Sequence, residues 1–151
     1  MGNSGYDLRH AREQAQIEKM RHLIDEGICA FCEENFEKYH DNPVEFSSAH
    51  WVVSKNDYPY KRTSLHLLVV SKNHVRTFSE LAPEARADFA EVLVAIEARW
   101  KLPSYAVGIR VGDPERNGGT LEHLHAHIVV GDTDDPGHEP VRFKMTSPKA
   151  G

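Results

Sequence analysis

Three histidines occupy every second position of the segment 123–129, which reads HLHAHIV. Alternate side chains of a β-strand point to the same face, so His123, His125 and His127 are predicted to share one face of a strand. The apolar residues between them are predicted to share the other face and to pack in the core. The segment therefore predicts a sheet with one face buried in the core and one face whose histidines form a candidate functional site.

Three less specific roles are open for these histidines. The first two are that the histidines are ordinary polar residues on the solvent side of a strand, or that they bind metal adventitiously. Strict alternation with apolar residues disfavours both. A catalytic metal bound by all three rings is the third. The outer rings of a regular strand lie about 13 Å apart, whereas a zinc–nitrogen bond is about 2 Å long. Such a metal requires a bulge, or two neighbouring rings and a distant ligand.

The segment just before the histidines reads NGGT over 117–120. Gly118 and Gly119 offer flexible backbone and N–H groups that a phosphate can approach closely. A phosphate site beside the histidines is therefore predicted.

The pattern of segment 123–129 resembles the signature of the histidine triad (HIT) superfamily of nucleotide hydrolases and transferases. Its four apolar positions are filled by Leu124, Ala126, Ile128 and Val129. Residues 66–75 resemble a second family segment, a histidine and an apolar run that end in Pro-Lys-x-His-Val, with Ser71 in place of the proline. The resemblance extends over most of residues 29–131.

The third position of the triad narrows the implied activity. The stretch Tyr58-Pro59-Tyr60 resembles the galactose-1-phosphate uridylyltransferase branch, but that branch carries glutamine where this chain has His127. Hydrolases of phosphoramidates or dinucleoside polyphosphates commonly carry histidine there. The resemblance thus implies a nucleoside-phosphate hydrolase or a phosphorolytic nucleotidyltransferase. Gly119 replaces a glutamine often found before the triad serine or threonine, which leaves the acceptor open.

Length and charge limit the classes of function. A chain of 151 residues fits one domain, and a net charge of −5 argues against coating of nucleic-acid polymers or membranes, which needs a broad basic field. No apolar run approaches the roughly twenty residues of a membrane span, and the amino terminus has no signal-peptide pattern. We therefore expect a cytoplasmic protein that binds neither membrane nor nucleic-acid polymer.

The periodicity of the chain predicts an α+β fold, a mostly antiparallel sheet with a long helix packed on it. The long helix is predicted over 83–100, where proline suits the first turn and apolar residues form a wide face. An N-terminal helix is predicted over about 7–26, and Gly27 ends it. Besides the histidine strand, extended chain is predicted over 44–54, 65–70 and 105–111.

The chain is divided into three parts. Residues 1–27 form a helical extension, 28–131 the HIT domain, and 132–151 a C-terminal tail. Within the tail, residues 141–145 are predicted to add an edge strand or to cover a subunit interface.

The two cysteines of the chain, Cys29 and Cys32, form a Cys-x-x-Cys motif. A redox dithiol and half of a zinc site are both open on this spacing alone. Zinc-containing members of the superfamily use the histidine of the Lys-x-His ending and the first histidine of the triad. By that resemblance His74 and His123 complete a closed Cys2His2 site, in which Zn²⁺ is structural. Without zinc, His123 is free to act as a hydrogen-bonding member of the triad.

The resemblance also implies the roles of the remaining site residues. His125 attacks the α-phosphorus of a nucleoside phosphate and forms a nucleotidyl-histidine, and His127 hydrogen-bonds the phosphate and the leaving group. The non-bridging oxygens are contacted by Thr120, Gly118 and Gly119. Apart from the resemblance, Lys61, Arg62, Arg110 and Arg116 are candidate cations for the phosphate, and Arg110 is favoured because it ends a predicted strand beside the loop. A purine nucleotide and a homodimer are expected. The alternatives are a non-catalytic nucleotide-binding or scaffold protein and a metal-dependent hydrolase.

Overall fold

A computed structural model describes residues 14–149 of the chain. In chain order its elements are α1 (Gln14–Glu26), α2 (Glu33–Tyr39), β1 (Val44–Ser47), β2 (Trp51–Lys55), β3 (Thr63–Ser71), a 3-10 turn (Phe78–Glu80), α3 (Pro83–Trp100), β4 (Ala106–Ile109), α4 (Pro114–Asn117) and β5 (His125–Gly131). The strands form one sheet in the order β1-β2-β3-β5-β4, and every neighbouring pair is antiparallel. The predicted α+β class, with a long helix and an N-terminal helix, is confirmed.

The two faces of the sheet have different chemistry because successive side chains point to opposite sides. On one face, alternate residues of β2, β3 and β5 pack against α3 in the main core, among them Val53, Leu67 and Ile128. On the other face, Leu68 and Val70 pack with residues of β2 and α2. His125 and His127 pair across the strands with Val70 and Leu68, so they lie on this second face.

The long helix α3 has the predicted bounds and is tied to the sheet by polar contacts. Pro83 occupies its first turn, and Lys101 ends it in a left-handed conformation with φ of 53°. The indole nitrogen of Trp51 donates to the Ala85 carbonyl oxygen at 2.8 Å, and Asp88 accepts from the hydroxyl of Ser48 at 2.6 Å. The predicted apolar face is narrower than expected, because four of its members are exposed: Ala87, Ala90, Val94 and Ala98.

The N-terminal helix α1 ends where glycine predicts it. Gly27 has φ of +68°, and the amide of Ile28 donates to the Leu23 carbonyl oxygen at 2.9 Å. The part of the prediction that covers residues 7–13 lies outside the described residues. The helix buries Met20 and Leu23 against Ala30 and Leu121. It therefore packs on the domain itself.

Two strand predictions need correction. The extended stretch predicted over 44–54 is two strands, because the chain reverses where the Ser48 amide donates to the Trp51 carbonyl oxygen at 2.9 Å. The edge strand predicted over 141–145 is wrong, since none of residues 132–149 belongs to a strand. These tail residues make single hydrogen bonds to the loop before β5 instead of a ladder. Over residues 14–149, no helix has both the length and the apolar character needed to cross a membrane.

Candidate functional site

Strand β5 separates the three predicted histidines into two sites. The strand begins at His125, and His123 lies just before it. His125 and His127 line a cavity of about 600 Å³, whereas the ring of His123 points to Cys29, Cys32 and His74. The prediction that all three rings share one strand face therefore holds for the last two only.

The ring of His125 has one nitrogen bound to the backbone. Its Nδ1 lies 2.7 Å from the His123 carbonyl oxygen, and because a carbonyl can only accept, Nδ1 carries the proton. The Nε2 lone pair is then the free end of the ring. Burial, with a smaller effect of the positive charge of Arg110, lowers the pKa of His125 to about 4. At neutral pH the ring is uncharged and nucleophilic at Nε2.

The tautomer of His127 follows from a chain of hydrogen bonds through His66. The Tyr60 amide donates to His66 Nδ1 at 3.0 Å, so His66 carries its proton on Nε2. That Nε2 lies 2.8 Å from His127 Nδ1. Asn56 Nδ2 also lies 3.2 Å from His66 Nε2. The Asn56 Oδ1 accepts from the Tyr58 amide, which fixes the orientation of the side-chain amide, and its Nδ2 is a donor that cannot accept the His66 proton. His127 Nδ1 is thus the acceptor, and its Nε2–H is a hydrogen-bond donor.

In the second site, four potential metal-ligand atoms of Cys29, Cys32, His74 and His123 converge, and the distances between them fit a zinc ion. Tetrahedral zinc separates two nitrogen ligands by about 3.3 Å and a sulfur–nitrogen pair by about 3.6 Å. The Nδ1 atoms of His74 and His123 are 3.2 Å apart, and Cys29 Sγ is 3.6 Å from His123 Nδ1. Cys32 Sγ lies 3.2 Å from His74 Nδ1 and 3.8 Å from His123 Nδ1. All four atoms lie within 4.8 Å of one another.

The outer nitrogens of both cluster histidines are held so that the Nδ1 lone pairs face inward. His123 Nε2 donates to the Ser71 carbonyl oxygen at 2.5 Å, and His74 Nε2 lies 3.7 Å from the Glu122 carboxylate. Burial is the main cause that lowers the pKa of His123 to about 4, which keeps the ring neutral. Partners of this kind orient metal-binding histidines and fix their tautomers.

The cysteine environment bears on the choice between a dithiol and a metal site. Burial raises the pKa of Cys29, and burial together with the neighbouring Cys29 charge raises the pKa of Cys32 to about 12. A redox-active dithiol needs an accessible thiolate of low pKa. A bound cation reverses this preference, because coordination stabilises the thiolate. The cluster therefore suits a metal better than redox exchange.

The cavity has an apolar end and a polar end. Its apolar wall borders His125 and consists of Met20, Leu23, Ala30, Phe31 and Leu121. Among residues 14–149, four cationic side chains also line it, Lys19, Arg110, Arg142 and Lys144, against one carboxylate, that of Asp57. Helix α1 thus contributes directly to the cavity, although its sequence pattern indicates only packing.

The residues predicted to bind phosphate differ in availability. Thr120 and Gly118 line the cavity, but the Gly118 amide donates to Ser147 Oγ at 3.0 Å and the Gly119 amide to Asn117 Oδ1 at 2.9 Å. Neither amide is open to a phosphate in this conformation. Arg110 also lines the cavity, and its guanidinium donates to the Lys144 carbonyl oxygen at 2.8 Å and to the hydroxyl of Tyr60 at 3.1 Å.

Sequence reasoning assigned no role to two parts of this site. His66 interrupts the apolar run of β3, and a histidine inside an otherwise buried strand was the signal for it. Phe143 of the tail packs edge to face on His127 with ring centroids 5.7 Å apart. No local pattern places residue 143 there.

Comparisons with known proteins agree with this arrangement. The family model of the HIT domain matches residues 44–134. No curated protein matches the chain by sequence. A zinc-bound histidine triad family protein from Mycobacterium smegmatis is 22% identical with a TM-score of 0.54, and the match covers 76% of this chain and 82% of that one.

Two further solved structures share the fold. A hypothetical histidine triad nucleotide-binding protein from Sulfolobus tokodaii is 20% identical with a TM-score of 0.55, over 80% of this chain and 82% of that one. The diadenosine triphosphate hydrolase of Plasmodium falciparum, solved with cyclomarin A, is 18% identical with a TM-score of 0.50, over 61% of this chain and 63% of that one. At these identities the likeness is one of fold.

Proposed function

Because this chain belongs to the HIT family, whose domain model matches residues 44–134, we propose that it is a nucleoside-phosphate hydrolase or nucleotidyltransferase. The reaction takes place at the α-phosphate through a nucleotidyl intermediate on His125. The observation that carries the proposal is the neutral ring of His125 at the cavity wall, with its Nδ1 hydrogen-bonded to the His123 carbonyl oxygen. This bond leaves Nε2 as the nucleophile.

In the first step the Nε2 lone pair of His125 forms a bond to the α-phosphorus. The bond from phosphorus to the leaving group breaks, and the leaving group takes that electron pair. His127 Nε2–H donates a hydrogen bond to the charged oxygens, and Thr120 contacts a non-bridging oxygen. Phosphoryl transfer depends chiefly on positioning and on stabilisation of charge, which these donors supply.

In the second step water or another acceptor attacks the phosphorus and loses its proton to solvent. The phosphorus–nitrogen bond breaks and its electron pair returns to Nε2. Attack by water releases the nucleoside monophosphate, and attack by another acceptor releases the nucleotidylated acceptor. The apolar wall of Met20, Leu23 and Phe31 suits a purine base, which has apolar ring faces. Two structural relatives named for nucleotide binding and for diadenosine triphosphate hydrolysis support a nucleotide ligand.

We propose that the cluster of Cys29, Cys32, His74 and His123 holds a structural Zn²⁺. When bound, the ion cross-links the segment after α1, the end of β3 and the start of β5. All four tetrahedral positions are taken by protein atoms, so none is open for a water nucleophile. The alternative of a metal-dependent hydrolase is therefore disfavoured.

Trapping of the intermediate tests the proposed function. Diadenosine polyphosphate and adenosine phosphoramidate labelled at the α-phosphate are mixed with the protein, quenched within milliseconds, and digested for mass spectrometry. We expect a nucleotidyl group on the peptide that contains His125. Turnover without label on this peptide contradicts the mechanism, and nucleotide binding without turnover favours the non-catalytic alternative.

The pH dependence of the reaction follows from the lowered pKa of His125. Since burial lowers it to about 4, the ring stays neutral as the pH falls from 7 and becomes protonated, hence unreactive, only near that value. We expect kcat/KM to be level between about pH 5 and 7 and to fall below that range. An acidic limb centred near the ordinary histidine pKa of about 6.5 contradicts this prediction.

We also propose a homodimer, supported by apolar surface on α3 and on the edge strand β4. Val94 is 58% exposed and Val107 is 41% exposed. We expect Val94→Glu to convert a dimer to a monomer in size-exclusion chromatography with light scattering, because a buried unpaired carboxylate is costly. Val94→Ala is the matched control, since it shortens the same exposed side chain without placing a charge on this surface. A wild-type monomer contradicts the proposal.

A further inference from the structure

The C-terminal segment 141–147 contributes to the wall of the active site through residues 142–144, although it follows the family match, which ends at residue 134. Its backbone is anchored on the loop before β5. The Lys144 carbonyl oxygen accepts from Arg110 Nε at 2.8 Å, and the Ser147 amide donates to the Arg116 carbonyl oxygen at 3.2 Å. The Ser147 hydroxyl accepts from the Gly118 amide at 3.0 Å.

Two glycines make room for this segment. A Cβ at Gly118, which has φ of +78°, would lie 2.8 Å from the Lys144 carbonyl oxygen. A Cβ at Gly108 would lie 2.5 Å from the ring of Phe143. The centroid of the same ring lies 3.9 Å from the guanidinium carbon of Arg110, and the ring packs on His127. The surface on which the tail packs is thus formed by residues of β4 and of the loop that follows it.

The charge of this wall is opposite to that of the whole chain. The protein has a net charge of −5, yet the exposed tail residues Arg142 and Lys144 line the cavity together with Arg110. The carboxylate of Asp57, which also lines the cavity, is 3.5 Å from Lys19 and accepts from the amides of residues 41 and 42. Arg142 forms no ion pair with an acidic residue of the described chain. The cationic excess therefore lies on the side of the cavity that the tail lines.

We propose that Arg142 and Lys144 form a binding site for the phosphate chain of the leaving group. This deepens the proposed function and rests on it. The substrate class is then a nucleoside polyphosphate or dinucleoside polyphosphate, with the base on the apolar wall, the α-phosphate at His125 and the further phosphates against the tail. Arginine suits this role because its planar fork binds phosphate through two hydrogen bonds.

The hydrogen-bond chain behind His127 favours the same substrate class. His66 Nδ1 accepts a hydrogen bond from the Tyr60 amide, and a backbone amide is too weak an acid to give up its proton. The neutral pair of His66 and His127 therefore donates a hydrogen bond but cannot release a proton without leaving a ring anionic. A phosphate leaving group departs as a stable anion and needs no proton. An amine leaving from a phosphoramidate has to take its proton from solvent, so we expect slower but measurable turnover of that substrate.

Kinetics of Arg142 variants on two substrates test the proposal. For diadenosine tetraphosphate we expect Arg142→Ala to lower kcat/KM at least about tenfold and Arg142→Lys to recover part of the loss. For adenosine phosphoramidate, which has no further phosphate, we expect a change of less than about twofold. Arg21→Ala is the matched control, because Arg21 is exposed on α1 and does not line the cavity. Equal effects on both substrates, or none on either, overturn the proposal.

Calorimetry separates this proposal from the proposed catalytic function. A methylene-bridged ATP analogue and AMP are titrated into the wild type and Arg142→Ala. We expect at least about tenfold weaker binding of the analogue by the variant, with AMP binding unchanged. This result supports the phosphate site even if no substrate is turned over. Equal affinities of both proteins for the analogue refute the site even if the nucleotidyl-histidine is trapped.

Discussion

Replacement of His125 by alanine is expected to lower kcat/KM by about 10⁴-fold or more while the fold and nucleotide binding persist. The loss is large because no neighbouring ring can take over the attack. His127 Nδ1 is occupied by His66, and His123 Nδ1 faces the cysteine cluster. The half-buried side chain of His125 leaves little cavity when truncated, so the cost in stability is expected to be small.

The measurement combines steady-state kinetics with thermal unfolding and calorimetric titration of AMP. The matched control is His22→Ala, since His22 is exposed on α1 and does not line the cavity. This control is expected to retain full activity. An unchanged rate in His125→Ala refutes the nucleophile, whereas loss of both turnover and AMP binding indicates that the ring is needed to shape the cavity.

Removal of zinc is expected to destabilise the protein by about 3 kcal/mol or more, which shifts the unfolding midpoint by about 10 °C. The cluster joins residues that are 94 positions apart in the chain, Cys29 and His123, so its loss frees a long loop. His123 also precedes β5 directly, so its release frees the backbone carbonyl that positions His125 as well. Activity and structure are therefore expected to be lost together.

Elemental analysis, differential scanning calorimetry and turnover with and without a strong chelator check this prediction. We expect one zinc per chain, no zinc in Cys32→Ser, and recovery when zinc is added back to the chelated wild type. Loss of activity with an unchanged unfolding midpoint contradicts a structural ion and supports the metal-dependent alternative. A protein that purifies without metal and unfolds at the same temperature after zinc addition contradicts the site altogether.

Sequence reasoning succeeded where the signal is local. The bounds of α3 follow from a proline at its first turn and from the spacing of apolar residues, and the direction of alternate side chains in β5 follows from the strand period. It failed where two structures fit one pattern. The tail residues 141–145 have strand-like alternation, but the ring of Phe143 packs into the space beside Gly108, a contact that alternation does not predict.

The candidate site divides in the same way. The alternation of His125 and His127 with apolar residues is enough to predict a reactive strand face, because neighbouring residues on a strand have a fixed relation. The approach of Cys29 and Cys32 to His74 and His123, the bond from His66 to His127, and the wall made by α1 and the tail depend on the packing of distant segments. Such contacts are set by which surfaces bury each other, and no short stretch of sequence carries that information.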